Sequence, residues 1–198
     1  MKKYLFFGFI FCLTLLFAQN ATERLKQMQD KFKSINQFKA EFVQNPGQGN
    51  KEFTGTFYFA KGNKFRVEMP KKIIVSDGTN IWNYDEGMKR VVINLLEDDA
   101  SAFTLEKYIL EYPSDCSVEL VNGNSNTLKL TPNDVDELGF MYSILWIDNN
   151  LMVNKIEIKD LNNSIFTLKL KNIDTESSIS NSKFTFQAPN GTKVVDLR

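Results

Sequence analysis

Phe53-Thr54-Gly55-Thr56-Phe57-Tyr58-Phe59-Ala60-Lys61-Gly62-Asn63-Lys64-Phe65-Arg66-Val67-Glu68-Met69 is the stretch whose reading decides the fold. Side chains of an extended chain alternate between two faces. Phe53, Phe57 and Phe59 therefore share one face, and Phe65, Val67 and Met69 share one face of the next segment. Lys61-Gly62-Asn63 supplies the turn between them, so the stretch reads as a hairpin with one apolar side. Working upstream, Phe38-Lys39-Ala40-Glu41-Phe42 alternates in the same way. Downstream, residues 73–76, 80–85 and 88–95 read as strands separated by Asp77-Gly78 and Glu86-Gly87, where glycine accepts positive φ. Further strands are expected at 116–121, 127–131, 140–148, 153–160 and 164–172. The last of these places Phe166, Leu168 and Leu170 on one face. A final strand is read from Lys183 to Gln187, before Pro189-Asn190-Gly191 and a short tail.

Two segments keep a helical period instead. Over residues 21–37, Leu25, Met28, Phe32 and Ile35 recur at spacings of three and four, and Asn20 or Thr22 can cap the start. Over residues 97–111 the apolar positions are Phe103, Leu105, Tyr108 and Ile109. About eleven antiparallel strands cannot stay flat; they curl into a barrel, closed or partial, or split into a sandwich. A curled sheet with the helices against its concave side gives both sets of apolar faces a place to bury. The expected class is mainly β (α+β). No repeat or linker divides residues 19–198, which read as a single domain.

The N-terminus reads Met1-Lys2-Lys3, an apolar run from Tyr4 to Phe17, then Ala18. A basic start, an apolar run of about 14 residues and a small residue at its exit describe a secretory signal, expected over residues 1–18. The run is shorter than the ~20 residues of a spanning helix. Phe9-Ile10-Phe11 before Cys12 are too bulky for a lipid-attachment site. Removing the segment takes Cys12 with it and leaves Cys116 alone, which excludes an internal disulfide and a cysteine zinc site. An exported, soluble protein of the periplasm is expected.

Chemistry is sparse. The chain has no histidine, which removes imidazole triads, proton relays and histidine metal sites. Asp134-Val135-Asp136 with Gly139 faintly resembles a calcium loop, but Leu138 and Leu145 stand where oxygen ligands belong. It reads as a solvated acidic turn. No catalytic constellation, metal site or cofactor motif is found, so the chain reads as a non-enzyme. Lys+Arg and Asp+Glu are equal at 24 each, and Lys2 and Lys3 leave with the export segment. The neutral to slightly acidic remainder has no electrostatic footprint for nucleic acid. What the chain has in excess is aromatic surface: 17 phenylalanines, set on strand faces where flexible and aromatic walls accept loosely fitting chains.

Ile73-Ile74-Val75-Ser76-Asp77-Gly78-Thr79-Asn80-Ile81-Trp82-Asn83-Tyr84 resembles the signature hairpin of the periplasmic lipoprotein carriers, the LolA family. Lys183-Phe184-Thr185-Phe186-Gln187-Ala188-Pro189-Asn190-Gly191 is similar to that family's K-F-x-F-x-x-P-x-G, and Lys61-Gly62-Asn63-Lys64-Phe65-Arg66-Val67 to its R-P-x-x-F-R-W. The resemblance implies an unclosed antiparallel half-barrel with a helical lid on its concave face. It implies a carrier that takes acylated lipoproteins from an inner-membrane lipoprotein-releasing transporter and delivers them to an outer-membrane acceptor. On that reading Phe57, Phe59, Phe65, Val67, Met69, Phe166 and Leu168 line the cavity, and Leu25, Met28, Phe32 and Phe103 belong to the lid. Lys61 stands where the family has a latch arginine, and Gly62 and Val67 replace its proline and tryptophan. No cofactor is implied, and a monomer is expected. The alternative reading is a module for another lipid or glycolipid, or an envelope-stress sensor of the same fold.

Overall fold

The structure, a computed structural model, describes residues 5–47, 51–99 and 103–198, with side chains from Asn20 onward. The expected export segment therefore lies outside the described residues except for the backbone from residue 5. That backbone belongs to helix α1 (Leu5–Ser34), which ends ahead of the expected residue 37. Residues past Ser34 are drawn into the sheet: the backbone N–H of Lys61 donates to the Asn36 carbonyl, and β1 (Gln37–Asn45) starts at once. Among the described residues, no helix is long and apolar enough to cross a membrane.

The remaining strands are β2 (Phe53–Ala60), β3 (Lys64–Met69), β4 (Lys72–Asp77), β5 (Asn80–Asp85), β6 (Arg90–Leu95), β7 (Cys116–Leu120), β8 (Thr127–Pro132), β9 (Phe140–Ile147), β10 (Val153–Asp160), β11 (Ile165–Asp174) and β12 (Lys193–Asp196). They form one sheet in the order β12-β6-β5-β4-β3-β2-β1-β11-β10-β9-β8-β7. Its two end strands do not pair with each other, so the expected unclosed sheet is present, with twelve strands. From β1 to β6, and from β7 to β10, successive strands pair antiparallel. Gly55 marks the closest approach. A Cβ there would lie 1.9 Å from the Glu68 carbonyl oxygen.

Three sequence expectations are corrected. Lys183–Gln187 is not a strand: Asn181–Phe184 is a 3-10 turn with Ser180 as its N-cap, and residues 185–187 pair with nothing in the sheet. The tail does contain a strand, β12, which runs parallel to β6 with Val194 opposite Val91. The second helical segment starts only at Leu105 and is a π-helical turn over Lys107–Glu111, followed by a 3-10 turn over Tyr112–Asp115. Phe103 precedes that turn instead of lying on a helix. The acidic stretch at residue 134, read as a solvated turn, caps a short helix, α2 (Val135–Leu138): Asp134 accepts from the N–H groups of Asp136 and Glu137.

Contacts within the chain cluster into two compact units. One comprises Met1–Ser34, Pro46–Asn50 and Lys107–Leu168; the other comprises Ile35–Asn45, Lys51–Glu106 and Lys169–Arg198. In the first, α1 packs beside β7 and the π-helical turn, and Gln29 reaches the Ile109 carbonyl. Leu25, Met28 and Phe32 are all buried, as their spacing requires of one apolar stripe. The second unit holds β1–β6 and β12.

Candidate functional site

Cross-strand register decides which side chains share a face, because residues directly opposite in an antiparallel pair point the same way. In the β1–β6 unit, Phe38 is opposite Phe59 and Ala40 opposite Phe57. Phe59 is opposite Phe65 and Phe57 opposite Val67, and Val67 is opposite Ile74. Phe57, Phe59, Phe65, Val67 and Met69 thus occupy one apolar face with Phe38. The rings of Phe38 and Phe59 stack at 5.1 Å, and Phe38 and Phe57 meet at 5.9 Å. Phe57, Phe59 and Phe65 are buried, whereas Val67 and Met69 are only half-buried.

The opposite face of β3–β5 is covered by the segment expected to be a strand. Phe184 is buried, and Phe186 packs its ring 5.3 Å from that of Tyr84. Glu68 ties the segment down. Its carboxylate accepts from Arg66 Nε at 2.6 Å and from Lys183 Nζ at 3.1 Å, while Arg66 also donates to the Lys183 carbonyl. The Lys183 ammonium lies 4.5 Å from the Tyr58 ring centroid, near enough for a cation–π contact. Burial alone would raise the Glu68 carboxyl, but the two cations outweigh it and hold it below the ordinary carboxylate value. Alternation puts Arg66 and Glu68 opposite Phe65, so the sequence already marked them as the other face, though not their partner.

Lys61 is exposed and its Nζ donates to Asn36 Oδ1 at 3.0 Å. The rest of its turn is held by a residue the sequence reading missed. Glu106 accepts from the backbone N–H groups of Gly62 and Asn63, one on each oxygen. A lone glutamate in the first turn of a short helical segment carries no signal in a sequence.

In the other unit, β7–β10 build a second apolar face. Leu130 is opposite Val118 and Ser143, and Leu145 is opposite Leu128 and Ile156. Leu128, Leu130, Leu145 and Ile156 are all fully buried. The rings of Tyr108, Tyr112 and Phe140 form a cluster with centroids 5.0 to 5.6 Å apart. On the outer side of β9 and β10, Trp146 carries the Lys155 ammonium at 3.6 Å. Phe166 and Leu168 belong to this unit, with Leu168 buried and Phe166 half-buried.

Residues 33–187 match the family described as "Outer membrane lipoprotein carrier protein LolA". The chain belongs to the LolA family. A curated relative from Francisella tularensis, named outer-membrane lipoprotein carrier protein, is 28% identical over 208 residues, covering 99% of this chain and 98% of its own. The crystal structure of an uncharacterized conserved protein from Thermus thermophilus superposes with a TM-score of 0.56 at 16% identity, covering 86% of this chain and 98% of that one. A putative outer membrane lipoprotein-sorting protein domain from Vibrio parahaemolyticus does so with a TM-score of 0.50 at 12% identity, covering 85% and 97%. At such identities the two structures speak for the fold alone. Within this LolA-family chain the three recognised motifs lie in one unit and have distinct jobs. The first is the β4–β5 hairpin, the second covers that hairpin's outer side, and the third is the turn held by Asn36 and Glu106.

Proposed function

We propose that this protein is a periplasmic carrier that shields the acyl chains of lipoproteins and passes them from an inner-membrane lipoprotein-releasing transporter to an outer-membrane acceptor. The observation that carries this reading is a match to the lipoprotein-carrier family over most of the chain. The phenylalanine-rich face of β1–β3 supplies the chemistry such cargo needs. Two acyl chains of ~15 methylenes, at ~0.8 kcal/mol each, cost roughly 24 kcal/mol to expose to water. A barrier of that size permits spontaneous transfer on the order of once per day. Phenylalanine and branched aliphatic side chains replace the water and remove most of the barrier. The step is binding and release, so no residue is assigned a catalytic role.

The finer assignments belong to the same proposal. Phe57, Phe59, Phe65, Val67, Met69, Phe166 and Leu168 are read as acyl-contacting residues, and Leu25, Met28, Phe32 and Phe103 as those that cover cargo. Lys61, in the place of the family's latch arginine, is read as holding the chain two residues beyond α1. Residues 1–18 are read as a cleaved export signal and residues 19–198 as one carrier domain. Native mass spectrometry of protein purified from its own periplasm tests the carrier reading. Co-purified acylated polypeptide is the expected result; free lipid or glycolipid alone would replace it with the alternative lipid-binding module.

A further inference from the structure

Along β9, Ser143, Leu145 and Ile147 alternate as buried positions on one face. Register sets Ser143 opposite Leu130 on β8 and opposite Ile158 on β10, so its side chain stands on an otherwise hydrocarbon wall. Ser143 is fully inaccessible, and its hydroxyl has no hydrogen-bond partner. Burying a hydroxyl without a partner is unfavourable, and alanine or valine would serve a plain core better. The buried serine of the other unit shows the contrast: Ser76 Oγ accepts from the Gly78 N–H at 3.0 Å and so shapes its turn. Ser143 has no such local use.

We infer that Ser143 is a specificity-determining residue of the carrier, its hydroxyl donating to an acyl carbonyl oxygen of the bound lipid. The inference rests on the carrier reading. An esterified or amide-linked chain brings one carbonyl acceptor out of water together with its first methylenes. A single donor on an apolar wall satisfies that acceptor and gives nothing to a simple hydrocarbon. It also fixes depth: with the carbonyl at Ser143, the methylenes run over Leu128, Leu130, Leu145 and Ile156. Because Ser143 is inaccessible in this structure, the carbonyl reaches it only when the surrounding side chains shift, which couples loading to a rearrangement.

The test compares a synthetic dipalmitoylglyceryl-cysteine peptide with its ether-linked analogue, which lacks the chain carbonyl oxygens, and with an analogue in which the same two chains are joined by amides. For the unaltered protein, at least one carbonyl-bearing probe is expected to bind about five- to tenfold more tightly than the plain ether, the size of one buried hydrogen bond. Which probe does so tells ester from amide. In Ser143→Ala that preference should vanish, the affinity for the plain ether should stay unchanged, and the melting temperature should hold or rise. A preference that survives in Ser143→Ala, an equal loss for all probes, a lowered melting temperature, or no preference in the unaltered protein would each overturn the inference. Failure of the unaltered protein to bind any probe would instead sink the carrier reading, and this inference with it.

Discussion

Phe65 and Val67 sit two residues apart on one face yet differ in burial, and that difference sets what a charge at each would cost. Phe65 is 5% exposed between its cross-strand neighbours Phe59 and Ser76, while Val67 is half-buried. A charge at Phe65 has no water to meet, so Phe65→Glu should cost several kcal/mol and broaden or abolish cooperative urea unfolding. A charge at Val67 can reach solvent. Val67→Glu should therefore cost no more than about 1–2 kcal/mol while abolishing lipoprotein uptake; normal uptake by that variant would remove β3 from the cargo surface. The turn beside them offers a second comparison. Glu106 holds two N–H groups and Lys61 one side-chain oxygen. Charged hydrogen bonds reach about 1.5–3 kcal/mol when buried and far less when exposed. Glu106→Ala should thus destabilise the protein by about 1–2 kcal/mol, clearly more than Lys61→Leu, in chemical denaturation. If Lys61→Leu alters cargo transfer at unchanged stability, its role lies in the latch. The shared face was legible because strands repeat with a strict period of two. The capture of Glu106 by backbone N–H groups was not, since main-chain donors leave no mark in a sequence.

At the scale of elements, the segment Lys183–Gln187 shows where pattern reading fails. Lys-Phe-Thr-Phe alternates as a strand does, and a period of two predicts a strand there. The alternation is used differently: Phe184 is buried and Phe186 packs on Tyr84, while the backbone forms a 3-10 turn and then runs without a strand partner. Alternation reports that one side of a segment is buried, not that its backbone pairs. Conversely β12 escapes the pattern because Lys193–Asp196 is four residues long and mostly exposed, and it pairs with β6 a hundred residues earlier. Such long-range pairing has no local signature. The covering of β3–β5 by this segment predicts unequal costs. Phe184→Ala empties a site 2% exposed and should lose about 3–5 kcal/mol. Phe186→Ala, half-buried against Tyr84, should lose about half that. Equal, small losses in urea titrations would mean the segment merely lies on the surface.

The whole molecule is built without histidine, the side chain whose ordinary pKa lies in the middle of the pH scale, and this bears on how a carrier releases cargo. On the acid side, Glu68 and Asp77 are partly buried carboxylates held low. Burial opposes this in both, but Arg66 and Lys183 lower the first, and the N–H groups of Asn80 and Thr79 lower the second. A carboxyl depressed on folding contributes stability above its unfolded pKa, and that contribution is lost as the pH falls through the folded value. On the alkaline side, burial, with a smaller push from Asp115, raises the Cys116 thiol to about 11 from an ordinary value near 9.0, and burial raises Tyr108 as well. An acid whose folded pKa is raised favours folding below the unfolded pKa, so stability declines as the pH climbs from about 9 to about 11. Between these limbs the chain lacks the one side chain, histidine, whose ordinary pKa would fall there. The melting temperature and the retention of a fluorescent acylated peptide should therefore both be flat from about pH 5.5 to 8.5. They should fall together below about pH 4.5 and above about pH 9. Cargo release inside that window at flat stability would overturn the expectation drawn from the absence of histidine. Flatness in both would place the trigger for release outside the titration of the carrier's own side chains.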